Sequence, residues 1–116
     1  MAEEIGERPW GRYIVLANTP YYKLKRIEVE PGQRLSYQYH KFREEHWTIV
    51  QGQATVVLDG DLYSVSYGQS IAIPLGSKHR IINESKELLV FIEVQTGSYF
   101  GEDDIIRLQD DYDRVE

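Results

Sequence analysis

Two stretches of the chain carry most of its capacity for metal or acid–base chemistry. SYQYHKFREEHW, residues 36–47, holds two of the three histidines beside two adjacent glutamates, and IPLGSKHRIIN, residues 73–83, holds the third. Imidazole, carboxylate and carboxamide are the donors left to a metal site here, because the chain has no cysteine. Side chains alternate along a strand, so Gln38 and His40 project from one face. A turn at KFRE followed by a second strand sets Glu45 opposite them, and three nitrogen or oxygen donors then converge. A register one residue off would turn His46 inward instead of Glu45. The competing reading is a solvated charged turn with surface histidines. Whether the two stretches meet decides between them.

The elements that must position these residues read as strands. YYKLKRIEV, LSYQY, HWTIVQ, QATVVL, LYSVS, SIAIP, HRII and ELLVFIEVQ are short, alternating, and rich in β-branched and aromatic residues. Gly and Pro punctuate them regularly, and Asp59-Gly60 between two alternating runs predicts a two-residue hairpin. Short strands at this spacing indicate an antiparallel sandwich or barrel, all-β, as a single domain over residues 1–116. The tail departs from the pattern. EDDIIRLQDDY, residues 102–112, places acids before Ile105, Ile106 and Leu108, which predicts a short helix.

Bulk properties bound the function. With 41% hydrophobic and 28% charged residues the chain reads as an ordinary globular domain. A net charge of −6 argues against nucleic acid or an anionic membrane as partner. MAEEIGERPW lacks the apolar segment of a secretory signal, and no run approaches a membrane span, so the cytoplasm is the expected location. Nine tyrosines and the unpaired edges of small sheets lead to the expectation of a homodimer.

Gly32, Gln38, His40, Glu45 and Gly52, followed by Gly68, Pro74, Gly76, His79 and Asn83, have the spacing of the two cupin motifs. The chain resembles the cupin superfamily at each of these anchors except one, since Gln38 stands where a histidine is usual. The resemblance implies a cupin jelly-roll β-barrel (a double-stranded β-helix) with short N- and C-terminal extensions. It also implies one divalent metal ion held by Gln38, His40, Glu45 and His79. Two nitrogens and two oxygens suit zinc first, with manganese, cobalt, nickel or iron also accommodated.

RPWGRY, YKLKRIEVEPGQRLSYQYHKFREEHWTIVQG, IPLGSKHRIIN and IEVQTGSYFGEDDI narrow the resemblance to the type II phosphomannose isomerases. In bifunctional members of that family the domain follows a mannose-1-phosphate guanylyltransferase domain, which makes a nucleotide-sugar precursor. One departure is Asp113, where the family tends to have Gly, and it leaves the role of Arg114 open. The implied reaction interconverts mannose 6-phosphate and fructose 6-phosphate through a cis-enediol. It requires a base near C2, an electrophile for the carbonyl oxygen and a cation for the phosphate.

Facing supplies candidates for these roles. Lys23, Lys25, Ile27 and Val29 share a face, so Lys25 is either a base near the barrel mouth or an exposed strand lysine. Arg80 is either a phosphate clamp or an ion-pair partner, because alternation sends it away from His79. Glu93 and Gln95 share a face opposite Ile92 and Val94, facing either solvent or a polar pocket, with Glu93 the alternative proton carrier. Tyr99, Glu102, Asp103 and Asp104 lie in the tail phrase, read as a cap over the barrel or a partner contact, with Arg107 a further phosphate candidate. Trp10 in RPWG is expected to pack on the barrel. A non-catalytic sugar-phosphate-binding cupin is the main alternative to an isomerase. A dioxygenase is disfavoured by Gln38 in place of an iron-ligating histidine.

Overall fold

The computed structural model describes residues 4–112, and Asp113 and Arg114 lie outside the described residues. The described chain forms β1 (Glu4–Arg8), β2 (Gly11–Asn18), β3 (Tyr22–Val29), β4 (Tyr37–Tyr39), β5 (Arg43–Gln51) and β6 (Gln53–Leu58). It continues through β7 (Asp61–Ser66), β8 (Ser70–Ile73), β9 (His79–Ile82), β10 (Leu89–Gly97) and β11 (Ile106–Gln109). Two antiparallel sheets face each other, ordered β1-β2-β3-β10-β5-β8 and β11-β4-β9-β6-β7. Asp59 and Gly60, with φ of 49° and 88°, make the expected hairpin between β6 and β7. Among the described residues no helix is long and apolar enough to cross a membrane.

The interior changes character from one end of the barrel to the other, and cross-strand register shows how. Ile27, Phe91 and Ile49 pair across β3, β10 and β5 as one inward row. Two residues along, the next row is Lys25, Glu93 and Trp47, and the row after that is Lys23, Gln95 and Glu45. All nine side chains are buried. The apolar end, with Val29, Val56, Ile81 and Leu89 also closed off from solvent, supplies the hydrophobic stabilisation. Each such side chain contributes ~1.5–3 kcal/mol. The polar end stays soluble in protein only because its charges find partners. Trp10 joins the core cluster, as expected.

Three expectations need correction. β4 and β5 lie in different sheets, so the KFRE turn is no hairpin: residues 40–42 carry the chain across the barrel, and Arg43 and Glu44 already belong to β5. The tail forms β11 rather than a helix, pairing Ile106 with Tyr39 and Arg107 with Gln38. The physical reason is that β4 meets β9 through a single pair, Gln38 with His79, and would otherwise present open backbone groups on its other side. Ile105 and Ile106 are β-branched and suit that extended pairing. Finally, β1 and β2 extend the larger sheet through segments the alternation had not marked as strands.

Candidate functional site

The two motif stretches meet. The Gly76 N–H donates to the His40 carbonyl at 3.1 Å, and Gln38 sits directly across the ladder from His79. Gly76 has φ of 77°, a conformation that favours glycine and lets the turn approach closely. β5 alternation turns Glu45 inward and leaves His46 exposed, which resolves the register question in favour of Glu45.

His40, Glu45 and His79 form a buried group whose ligand atoms lie within 4.8 Å of one another. The imidazoles are oriented from behind. His40 Nδ1 lies 2.6 Å from the Asp104 carbonyl and His79 Nδ1 lies 2.9 Å from the Ser77 carbonyl. A carbonyl only accepts, so each Nδ1 carries a proton and each Nε2 points to the interior. His40 Nε2 is 3.2 Å from Glu45 Oε2, and the ring centroids of the two histidines are 4.9 Å apart. His79 Nε2 is buried and has no hydrogen-bond partner.

The unpartnered His79 Nε2, beside His40 Nε2 and the Glu45 carboxylate, fits a divalent cation. Bonds of ~2.0–2.2 Å to nitrogen and oxygen place donors ~3–3.5 Å apart, a small contraction from the observed group. Backbone carbonyls behind ligating imidazoles are the usual support of such a site. Gln38 lines the adjacent pocket with its carboxamide oxygen accepting the Ser36 hydroxyl at 2.9 Å. As a fourth ligand it would exchange that bond for the ion.

Two buried carboxyls stand at the floor of the pocket with opposite tendencies. The Trp47 indole N–H reaches both, at 2.9 Å to Glu45 and 3.1 Å to Glu93. Burial disfavours charge on Glu45, but His40 and the Arg43 guanidinium, 2.9 Å from its Oε2, hold it well below the usual carboxylate range. Burial and the neighbouring Glu45 push Glu93 up to about 7, against Lys25 and Arg43. Environments that separate paired carboxyls in this way mark acid–base assignments. Burial also holds the His79 imidazole below its ordinary value, which keeps its lone pair available.

Above these groups lies a pocket of about 90 Å³ lined by Arg8, Lys25, Arg43 and Arg107 as well as by Glu45, Glu93 and Glu102. Cations exceed carboxylates by one, and by two when Glu93 is protonated, in a chain whose net charge is −6. The pocket therefore suits an anion.

Of the remaining candidates, Gln95 is fully buried and donates to Glu93 Oε2 at 2.7 Å, so this face points inward; Glu93 lines the pocket, and Gln95 lies behind it. Arg80 is not brought to the pocket. Its guanidinium donates to the Leu35 and Gln109 carbonyls and to Asp111, at 2.7, 3.3 and 2.9 Å, tying the C-terminal strand to the barrel. Tyr99 sits on the outer side of the tail, 45% exposed, donating to Asp103 at 2.6 Å. Arg43 is not legible from the motif, because KFRE reads locally as a turn. Counting back by two from Glu45 would have placed it inside.

Residues 3–110 match the family described as mannose-6-phosphate isomerase, C-terminal. The chain belongs to that family. Within this family's relatives, it is 47% identical over 108 residues to a mannose-1-phosphate guanylyltransferase of Escherichia coli (strain K12), covering 93% of this chain and 23% of that protein. It is 48% identical over 108 residues to the alginate biosynthesis protein AlgA of Pseudomonas aeruginosa, covering 93% and 22%. The chain thus spans under a quarter of the length of these relatives. Among solved structures, a cupin-superfamily sugar phosphate isomerase of Silicibacter pomeroyi superposes with a TM-score of 0.69 at 20% identity, covering 78% of this chain and 65% of that one. The capsular polysaccharide assembling protein CapF of Staphylococcus aureus gives 0.78 at 18% identity, covering 93% and 34%. These likenesses establish the cupin fold, and the family match establishes which cupin.

Proposed function

We propose that this cupin interconverts mannose 6-phosphate and fructose 6-phosphate by proton transfer between C2 and C1. The observation that carries the reading is the Glu45–Glu93 pair beneath a cation-rich pocket: one carboxyl fixed as an anion beside two imidazoles, the other poised near neutrality. A divalent ion at His40, Glu45 and His79, with Gln38 as a further ligand, would polarise the sugar carbonyl and stabilise enediolate charge.

The chain's own groups do the rest. Glu93 as carboxylate removes the C2 proton of the open-chain aldose, and the hydroxyl proton passes from O2 to O1 to give the cis-enediol's ketose partner once Glu93 returns its proton to C1. Trp47 and Gln95 hold the two oxygens of Glu93 in place. Lys25 acts as a fixed cation rather than as the base, because its ammonium donates to Glu102 at 2.9 and 2.7 Å and lies 4.3 Å over the Tyr13 ring. Arg8 and Arg107 supply further positive charge to the wall.

The test is an enzyme-coupled isomerase assay on metal-replete protein with His79→Ala as control. Turnover abolished by the substitution supports the reading. Saturable metal binding with no turnover of any sugar phosphate overturns it, and ligand-induced thermal stabilisation without product would assign a binding module instead. Homodimer assembly is part of the proposal, supported by exposed Tyr21, Leu62 and Tyr67, and light scattering checks it.

A further inference from the structure

The stretch after β10 is a closed loop resting on the pocket mouth. Both of its ends are pinned at the same place: the Ser98 N–H donates to the Phe42 carbonyl at 2.9 Å, and the Asp104 carboxylate accepts from the N–H groups of Lys41 and Phe42 at 2.9 and 3.0 Å. Between the pins, residues 99–103 are tied to themselves by Tyr99 O–H to Asp103 and by the Asp104 N–H to the Gly101 carbonyl. A loop with joined ends and internal bonds moves as a unit.

Its contacts with the barrel are of a different kind. The Lys23 ammonium donates to the Phe100 carbonyl at 3.3 Å and to Glu102 at 3.0 Å, and Arg43 donates to the Gly101 carbonyl at 3.4 Å. Lys25 adds its two bonds to the same Glu102 carboxylate. The lysines are each 4% exposed, whereas the Glu102 side chain is 31% exposed. Two buried ammonium groups therefore share one carboxylate that enters from the solvent side. β3 alternation accounts for the pair, since Lys23 and Lys25 continue the inward face of Ile27 and Val29. Strand β10 places Glu93 directly across from Lys25, so an anion seated on the lysines holds the rest of its molecule against the carboxyl floor.

We propose that Lys23 and Lys25 are the seat of the ligand's phosphoryl group, that Glu102 fills this seat in the closed state, and that loop 99–103 is a lid released when phosphate displaces Glu102. A phosphate ester brings nearly two charges and three acceptor oxygens where the carboxylate brings one charge and two, so it satisfies both ammonium groups better. This deepens the sugar-phosphate reading of the pocket and rests on it for the choice of anion.

The experiment titrates inorganic phosphate and mannose 6-phosphate into chelator-treated protein by calorimetry, comparing wild type with Glu102→Gln. Removing the internal competitor raises phosphate affinity by about tenfold, the factor expected if the open state is ~10% populated in the wild type. In the wild-type protein, phosphate also accelerates amide exchange across residues 99–103, and Lys23→Met lowers phosphate affinity by about tenfold without loss of metal binding at His40, Glu45 and His79. Equal or weaker phosphate binding by Glu102→Gln, or slowed exchange of the loop on phosphate addition to wild type, overturns the lid. Because binding is read without metal or turnover, failure of the isomerase assay leaves this result standing. An active enzyme with unaltered Glu102→Gln binding would sink the lid alone.

Discussion

Asp104 joins the tail to the candidate metal group at His40 in a way that yields a quantitative test. Its carboxylate accepts two backbone N–H groups in the crossing between the sheets, and its own carbonyl takes the Nδ1 proton of His40 at 2.6 Å. Asp104→Ala removes both carboxylate bonds and leaves two partly buried donors. Hydrogen bonds to a charged acceptor contribute ~1.5–3 kcal/mol each, and the exposure of the Lys41 and Phe42 side chains places the loss near the lower end, ~3 kcal/mol in total. For a chain of 116 residues that is a fall of roughly 12 °C in Tm. His40 loses its fixed orientation as the tail shifts, so divalent-metal affinity falls by ~10–100-fold. Asp104→Asn sharpens the test, because its carboxamide retains one acceptor but sets an NH₂ against the other N–H. The asparagine variant is therefore expected to be no more stable than the alanine one. Urea unfolding and metal titration measure both quantities. A loss below ~0.5 kcal/mol for Asp104→Ala, or near-wild-type stability for Asp104→Asn, would refute the capping account.

Other outcomes follow from the same geometry. Saturating a divalent ion to 100 times its dissociation constant stabilises the fold by ~2.7 kcal/mol, and scanning calorimetry with and without chelator should show that gain vanish in His79→Ala. Glu93→Gln is expected to lower kcat by ~100-fold or more with the fold retained, read by coupled assay beside circular dichroism. On the proposed mechanism the base form of Glu93 is the active one, so kcat is expected to rise with pH through about 7; its raised folded pKa also means that stability from this group is full below its unfolded value and is lost as pH climbs through about 7. A flat rate profile across that window would remove Glu93 as proton carrier. Arg80→Ala should lower Tm by loosening the C-terminal strand while leaving phosphate affinity unchanged, and a selective loss of phosphate binding would restore Arg80 as a clamp.

Much of the barrel was legible because period-two alternation with glycine and proline punctuation leaves few alternatives to short antiparallel strands. Motif spacing placed His40, Glu45 and His79 together, and the structure unites them. What sequence could not convey is which sheet a strand joins after a turn. Alternation looks the same whether the chain folds back on its neighbour or crosses the barrel, so a hairpin at residues 40–42 and a crossing there are indistinguishable in sequence, and the inward position of Arg43 follows from the crossing. The tail misled for a related reason. Acids before apolar residues favour a helix locally, but the open side of β4 offered backbone partners that local propensity does not record. Arg80 shows a third limit. Facing told correctly that it points away from His79, yet a buried arginine can be held by carbonyls of its own chain as well as by a ligand's phosphate.

The crossing between sheets gives the ligand group a mechanical meaning. His79 belongs to β9 of the smaller sheet and Glu45 to β5 of the larger one, and His40 opens the crossing between them. An ion held by all three would be a rivet between the two sheets. Removing such an ion would take one tie from between the two halves, so bound metal would be expected to make the sheets come apart more cooperatively.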